Sequence, residues 1–239
     1  MLLRAHRLAR FYGPGLIFKD VSLDIQPGTI TLLAGVNGAG KSTLLKILAG
    51  LLRPSAGEIL LGKNEKGREA SVGFLGHQTF IYPELTAVEN LRFWASLYKT
   101  SLGDGAYADM LERVELAPFA EEKARVFSRG MAQRLNLARL FMLRSDILLL
   151  DEPGTGLDAR STAILHRELV QARQSGAGIV WITHSLAQDK EKADRIAVLD
   201  HKTLAFLGAV NDFSENSPPC RTLRPDPAEA RQARGGELC

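Results

Sequence analysis

The chain has 239 residues, 45% hydrophobic and 24% charged, with a formal net charge of +3. That length can bury a sizeable core in one compact domain. A mean hydropathy of −0.05 and the lack of any apolar run near the roughly 20 residues that cross a bilayer exclude a membrane-spanning chain, and without a Lys/Arg block no nucleic-acid partner is expected.

The amino terminus, Met1-Leu2-Leu3-Arg4-Ala5-His6-Arg7, lacks the continuous apolar stretch of a secretory signal, which predicts a soluble, cytosolic protein. Residues from about 2 to 34 read as strands and turns. Val21-Ser22-Leu23-Asp24-Ile25 alternates apolar and polar, Pro27-Gly28 makes a turn, and Thr29–Ala34 is an apolar strand. A glycine loop follows, then a helix from Ser42 to about Leu52. Leu44, Leu45, Ile47, Leu48, Leu51 and Leu52 face the core, and Pro54 ends the helix. Glu58–Leu61 and Ser71–Leu75 read as two more strands.

The middle of the chain, about 84–144, is predicted to be helical. Thr86-Ala87-Val88-Glu89 has the form of a capping box. Ser128 can cap a second long helix with Met131, Leu135, Ala138 and Met142 along one stripe. Strands and helices then alternate: Ile147–Leu150, a helix over Arg160–Gln174 closed by Gly176, the strand Ile179–Ile182, and a hairpin of Ile196–Leu199 with Thr203–Leu207. Helices interleaved with strands that are apolar on both sides predict an α/β fold around a mostly parallel sheet. From about 211 the composition changes. Pro218-Pro219, Pro225, Pro227 and Gly235-Gly236 sit among charged residues, so one domain over 1–210 and a disordered polar tail over 211–239 are expected. Both cysteines, Cys220 and Cys239, lie in that tail, with no spacing that supports a disulfide framework or a metal site.

Gly35-Val36-Asn37-Gly38-Ala39-Gly40-Lys41-Ser42 satisfies G-x-x-x-x-G-K-[ST] between a predicted strand and a predicted helix. Glycines let such a loop turn its N–H groups inward on phosphate oxygens, and the helix adds the positive end of its dipole. Lys41 is placed to reach the β- and γ-phosphates, and Ser42 to ligate Mg²⁺. Asp151 and Glu152 are adjacent carboxylates at the end of a buried strand, costly there unless offset. In an open α/β sheet strand carboxyl ends face the ligand crevice. Asp151 would then hold Mg²⁺ and Glu152 would orient and deprotonate a water; the bland alternative is a solvated strand end before Pro153. His184 follows the strand Ile179–Ile182, where an imidazole can hydrogen-bond the γ-phosphate, although a lone histidine is usually structural. Gln78 follows Val72–Leu75 and could reach Mg²⁺ or the attacking water.

Together these residues resemble the ABC transporter ATPases over about residues 2–207. Gly35–Thr43, including Asn37, Gly38, Ala39, Gly40 and Thr43, looks like the Walker A loop, and Ile147–Glu152 like Walker B with its catalytic glutamate. Gln78 matches the Q-loop glutamine and His184 the switch histidine. Tyr12, 41 − 12 = 29 positions before Lys41, is similar to the aromatic that stacks on adenine, or else is an ordinary strand aromatic. Gly156-Leu157-Asp158 resembles the D-loop, and Asp158 can also be the N-cap of the next helix. The family signature Leu-Ser-Gly-Gly-Gln stands here as Phe127-Ser128-Arg129-Gly130-Met131: Ser128 and Gly130 are kept, while Arg129 and Met131 depart from it. That departure bears on how strongly this half-site grips ATP.

The resemblance implies a P-loop core with an N-terminal antiparallel β subdomain and an inserted helical subdomain. It implies ATP and Mg²⁺ as ligands, and a head-to-tail sandwich with a second ATP-binding domain, a homodimer being expected, in which Lys41 of one copy and Ser128 of the other share one ATP. It also implies integral membrane transporter subunits docking around Gln78–Tyr98, and a peripheral position on the cytoplasmic face of the bacterial inner membrane. More finely, Gly73–Gln78 followed by Glu84–Phe93 resembles the ATPase subunits of cytochrome c maturation haem exporters. Drug and lipid exporter ATPases remain open, because Thr-Ala-x-Glu-Asn-Leu recurs among exporters. A soluble ABC protein would resemble twin cassettes or carry a long coiled-coil insert, and a GTPase needs an Asn-Lys-x-Asp guanine reader; the sequence has neither.

Overall fold

A computed structural model of the chain describes residues 1–76, 79–100, 102–183 and 186–214. Three of its strands, β3 (Ile30–Ala34), β6 (Ile147–Asp151) and β7 (Gly178–Ile182), are buried at every position. Strands covered on both faces favour parallel pairing. The six-stranded sheet runs β5-β6-β7-β3-β8-β9, with β5 spanning Val72–Leu75, β8 Arg195–Asp200 and β9 Thr203–Ala209. Only the β8–β9 hairpin is antiparallel; every other neighbouring pair is parallel.

Alternate side chains of these strands supply two cores. Leu33, Ile147, Leu149, Val180 and Ile182 face a second sheet and helix α1 (Lys41–Leu48). That second sheet is antiparallel, in the order β2-β1-β4, with β1 at Leu3–Tyr12, β2 at Gly15–Ile25 and β4 at Ala56–Leu61. On the opposite face Leu32, Leu148, Leu150, Trp181 and Val198 pack against α2 (Ala87–Leu97), α3 (Asp104–Arg113), α4 (Arg129–Met142) and α5 (Ala159–Gln174). The expected architecture is therefore present, including the antiparallel amino-terminal sheet and the helices inserted between β5 and β6.

The caps expected from sequence are made. Thr86 Oγ1 accepts from the Glu89 amide at 3.2 Å while Glu89 Oε2 accepts from the Thr86 amide at 2.8 Å. Ser128 caps α4, and Gly176 in the left-handed region (φ +90°) follows α5. Leu135, Ala138 and Met142 are buried on α4, with Met131 half-buried. The end of α1 differs from expectation. The helix stops at Leu48, and Gly50 at φ +72° turns the chain. The Gly50 amide donates to Ile47 O at 3.0 Å and the Leu51 amide to Lys46 O at 2.9 Å, the paired bonds of a Schellman closure. Gly50 rather than Pro54 ends the helix, and Leu51, expected in the core, is 63% exposed. At the carboxyl end, Phe213 still packs its ring 5.3 Å from Phe206; the rest of the proposed tail, from residue 215 on, lies outside the described residues.

Asn90 on α2 is fully buried and ties down the preceding loop. Its side chain accepts from the Tyr82 amide and donates to the carbonyls of Tyr82, Leu85 and Thr86. Replacing it with alanine strands those groups, so Asn90→Ala should cost about 2–4 kcal/mol in denaturant unfolding, whereas an exposed control on the same helix, Arg92→Ala, should cost under about 1 kcal/mol.

Candidate functional site

Strand β3 ends at Ala34 and the chain turns back as a loop before α1. Gly35 sits at φ +154°, and a Cβ built there would overlap the carbonyl oxygen of Leu199 in β8. Only glycine lets the loop lie this close to the neighbouring strand. Gly38 and Gly40 are also at positive φ, and Gly40 is the N-cap of α1. Lys41, the first helical residue, folds its side chain back into the loop: Nζ donates to Gly35 O at 2.8 Å and Val36 O at 3.1 Å. Only 6% of Lys41 is exposed. Burial pushes its pKa down, and the carboxylates of Glu152 and Asp151 act against that shift.

Ser42 Oγ donates to Asp151 Oδ1 at 3.0 Å, joining α1 to the end of β6. Asp151 is buried. Glu152 follows in a left-handed conformation, φ +54°, uncommon for a residue with a side chain. Thr155 holds it: the Thr155 amide donates to Glu152 O at 3.1 Å and its hydroxyl to Glu152 Oε2 at 3.4 Å. Sequence patterns gave no sign of Thr155, because it acts only through this turn. Strands β5 and β7 flank β6 and end at the same edge, at Leu75 and Ile182. Gln78 and His184, expected beyond those ends, lie outside the described residues. Thr183, just after β7, donates to Asp189 Oδ2 at 2.5 Å.

Tyr12 is the last residue of β1 and 52% exposed. One face of its ring is taken by Arg10, whose guanidinium carbon lies 4.5 Å from the centroid while Nη1 donates to Arg53 O at 3.0 Å. Ser128 Oγ accepts from the Met131 amide at 3.2 Å, so within one chain the hydroxyl serves its own helix. Gly130 abuts Asp158, and Asp158 Oδ1 accepts from the Ser161 amide at 2.7 Å as the cap of α5. That bond, with the Ser161 hydroxyl and the nearby Arg134 and Arg160, holds the Asp158 carboxyl below its ordinary pKa.

A separate surface gathers aromatic side chains on α2 and the loop before it. Phe80, Tyr82, Phe93, Trp94 and Tyr98 form a chain of ring contacts, with Tyr82 and Phe93 closest at 4.6 Å between centroids. All but Trp94 are exposed. Beneath them Arg139 of α4 lies 4.8 Å from the Trp94 ring and 5.4 Å from Phe80.

A glycine-rich loop joining a central parallel strand to a helix, with a lysine inside it and a serine–aspartate pair beside it, defines a P-loop nucleotide-binding domain. The family model described as ABC transporter matches residues 18–155, and the chain belongs to that family of ATP-binding cassette ATPases. The linearmycin resistance ATP-binding protein LnrL of Bacillus subtilis is 31% identical over 219 residues, covering 89% of this chain and 70% of that protein. The cytochrome c biogenesis ATP-binding export protein CcmA of Vibrio cholerae is 34% identical over 207 residues, covering 84% of this chain and 100% of that protein. The molybdenum import ATP-binding protein ModC of Mycobacterium tuberculosis is 36% identical over 211 residues, covering 81% of this chain and 57% of that protein. A solved structure of the ATP-binding subunit of an ABC transporter superposes with a TM-score of 0.80 at 26% identity, covering 98% of this chain and 99% of that one.

Lys41 gives a pH signature with a definite sign. Its folded-state pKa lies below the unfolded value of 10.5. Between those two values the unfolded chain binds more protons, so stability rises with pH through that window. The unfolding free energy of the wild type, taken relative to Lys41→Met, should therefore increase as pH rises toward 10.5; denaturant midpoints of the two proteins across alkaline pH measure it.

Proposed function

We propose that this ATPase drives a membrane transporter by closing on Mg-ATP with a second copy of itself, and that the transporter is the haem exporter of cytochrome c maturation. The observation that carries the ATP-dependent part is the joint at which Lys41, Ser42, Asp151 and Glu152 meet, with the buried ammonium resting on loop carbonyls. A polyphosphate entering the loop would give that ammonium better partners than two neutral carbonyls. Amides of residues 36–43 would take the phosphate oxygens at the start of α1.

The Ser42 hydroxyl and the Asp151 carboxylate, 3.0 Å apart, are hard oxygen donors of the kind Mg²⁺ accepts alongside water and phosphate. With Gln78 they would hold the ion, which supplies charge neutralisation between the β- and γ-phosphates. Glu152, held by Thr155, would orient the attacking water and take its proton. His184 would hydrogen-bond the γ-phosphate, and Tyr12, with one ring face against Arg10, would present the other to adenine. From the second copy, Ser128, Gly130 and Asp158 would complete the site.

The aromatic surface over Arg139 supports a membrane partner. An exposed patch of four aromatic side chains is costly in water and characteristic of an interaction site. Cytoplasmic loops of integral subunits would dock there, which would place the ATPase peripherally at the cytoplasmic face of the inner membrane. Among the described residues no helix is long and apolar enough to cross a membrane, in keeping with a motor that is held by such partners.

Haem export is favoured by the match to the whole length of a CcmA protein. The alternative of a drug or lipid exporter is favoured by the similarity to LnrL, which spans more of this chain. Detergent pull-down with the full chain should recover integral membrane subunits. Deleting the gene should abolish covalent haem attachment to c-type cytochromes on the haem reading. Intact cytochromes with raised drug sensitivity would select the alternative.

Glu152→Gln should bind Mg-ATP about as well as wild type in calorimetry, lose about 10²–10⁴-fold in phosphate release, and elute as an ATP-dependent dimer. Normal hydrolysis by that variant would remove Glu152 from the role of base. Lys41→Ala should instead weaken nucleotide binding itself.

A further inference from the structure

One of the two residues at which the chain departs from the signature, Arg129, carries a charge that opposes its surroundings. Arg129 is the first residue of α4, directly after the Ser128 cap, and the first turn contains no acidic residue. A cation at a helix amino terminus meets the positive end of the macrodipole. Arg129 makes no ion pair or hydrogen bond with another described residue that would offset this.

Its guanidinium lies instead on the turn that follows Glu152. A Cβ built on Gly156 would stand 2.5 Å from Arg129 Nη2, 3.1 Å from Cζ and 3.6 Å from Nε. The planar fork thus covers the bare α-carbon of Gly156, itself at φ +73°. A side chain at 156 is excluded both by backbone conformation and by the arginine. One residue further along α4, a Cβ on Gly130 would stand 3.0 Å from Asp158 Oδ2. Successive residues of the helix start therefore lie close against successive parts of the turn between Glu152 and α5. Within that turn the Thr155 amide bonds Glu152 O and the Leu157 amide bonds Gly154 O at 3.3 Å, so both neighbours of Gly156 are tied back along the turn toward Glu152.

We infer that Arg129 is a positioning residue that fastens the amino end of α4 to the Glu152–Asp158 turn of the same chain, a link that glycine in the usual signature has no side chain to make. Through it, displacement of α4 is transmitted to the backbone of Glu152, whose left-handed conformation survives only while its surroundings hold it. The inference rests on the proposal that Glu152 is the base.

Two measurements on the full chain test it. In nucleotide-free protein, Arg129→Ala should speed hydrogen exchange of the amides of residues 154–158 about tenfold without changing the core strands. In turnover, the same variant should lower kcat about five- to tenfold while calorimetric affinity for Mg-ATP stays within about twofold. Arg129→Lys restores the charge but not the planar fork, so both defects should persist in it. Unchanged exchange at 154–158 would overturn the inference. So would a raised KM at constant kcat that lysine rescues, since that pattern marks a point charge acting on the second copy's polyphosphate. Failure of wild-type protein to bind Mg-ATP would refute the proposed role of the loop, while the exchange comparison would still report on the Arg129 contact.

Discussion

A lysine ammonium buried among carbonyls and carboxylates sets the terms for the rest of this molecule. Removing the Lys41 charge from water is expensive unless partners are already in place, and the direction of its pKa shift says that burial outweighs the help it receives. Those partners come from distant parts of the sequence. Gly35 and Val36 lie in the loop itself, Asp151 and Glu152 more than a hundred residues later, and the backbone of Leu199 walls the loop from the other side. A sheet whose central strands are buried on both faces can hold such segments in register, because slipping a strand by one residue would put each side chain into the opposite core from the one it fits. The cost of the lysine also primes the site, since a ligand carrying negative charge would relieve it.

The same logic explains what could be read from the residues alone. The P-loop, the buried strands and the caps at Thr86, Ser128 and Asp158 are local patterns, each complete within about eight residues, and each stands where the sequence placed it. The end of α1 was misplaced because two signals competed. Leucines continue the helical stripe to Leu52, but Gly50 takes the left-handed turn and closes the helix at Leu48, four residues earlier. Thr155 on Glu152 and Arg129 on Gly156 carried no local signal at all. Each is a contact made by a turn or by the meeting of two elements, and turn geometry is not written in hydrophobic periodicity. Asp158 shows a residue with two readings that do not compete, since capping α5 leaves its other oxygen facing Gly130.

Helix α4 ties these observations together. At its amino end Arg129 covers Gly156 in the turn that follows Glu152, and ten residues later Arg139 lies beneath Trp94 and Phe80 on the aromatic surface. Ten residues of helix span about 15 Å, and the interior of this one is packed: Leu135, Leu137, Ala138 and Leu140 are all buried. A closely packed helix moves as a rod rather than bending at each residue. Pressure on the aromatic surface would therefore reach the Glu152 turn through one rigid element with an arginine at either end. Burial of Arg139 lowers its pKa and Tyr98 acts against that, so displacing the aromatic cover would expose a cation that is now shielded. Docking of a partner there would bear on the position of α4 through the same buried charge. A surface of aromatic rings alone would bind a partner equally well, but it would give the helix no reason to respond.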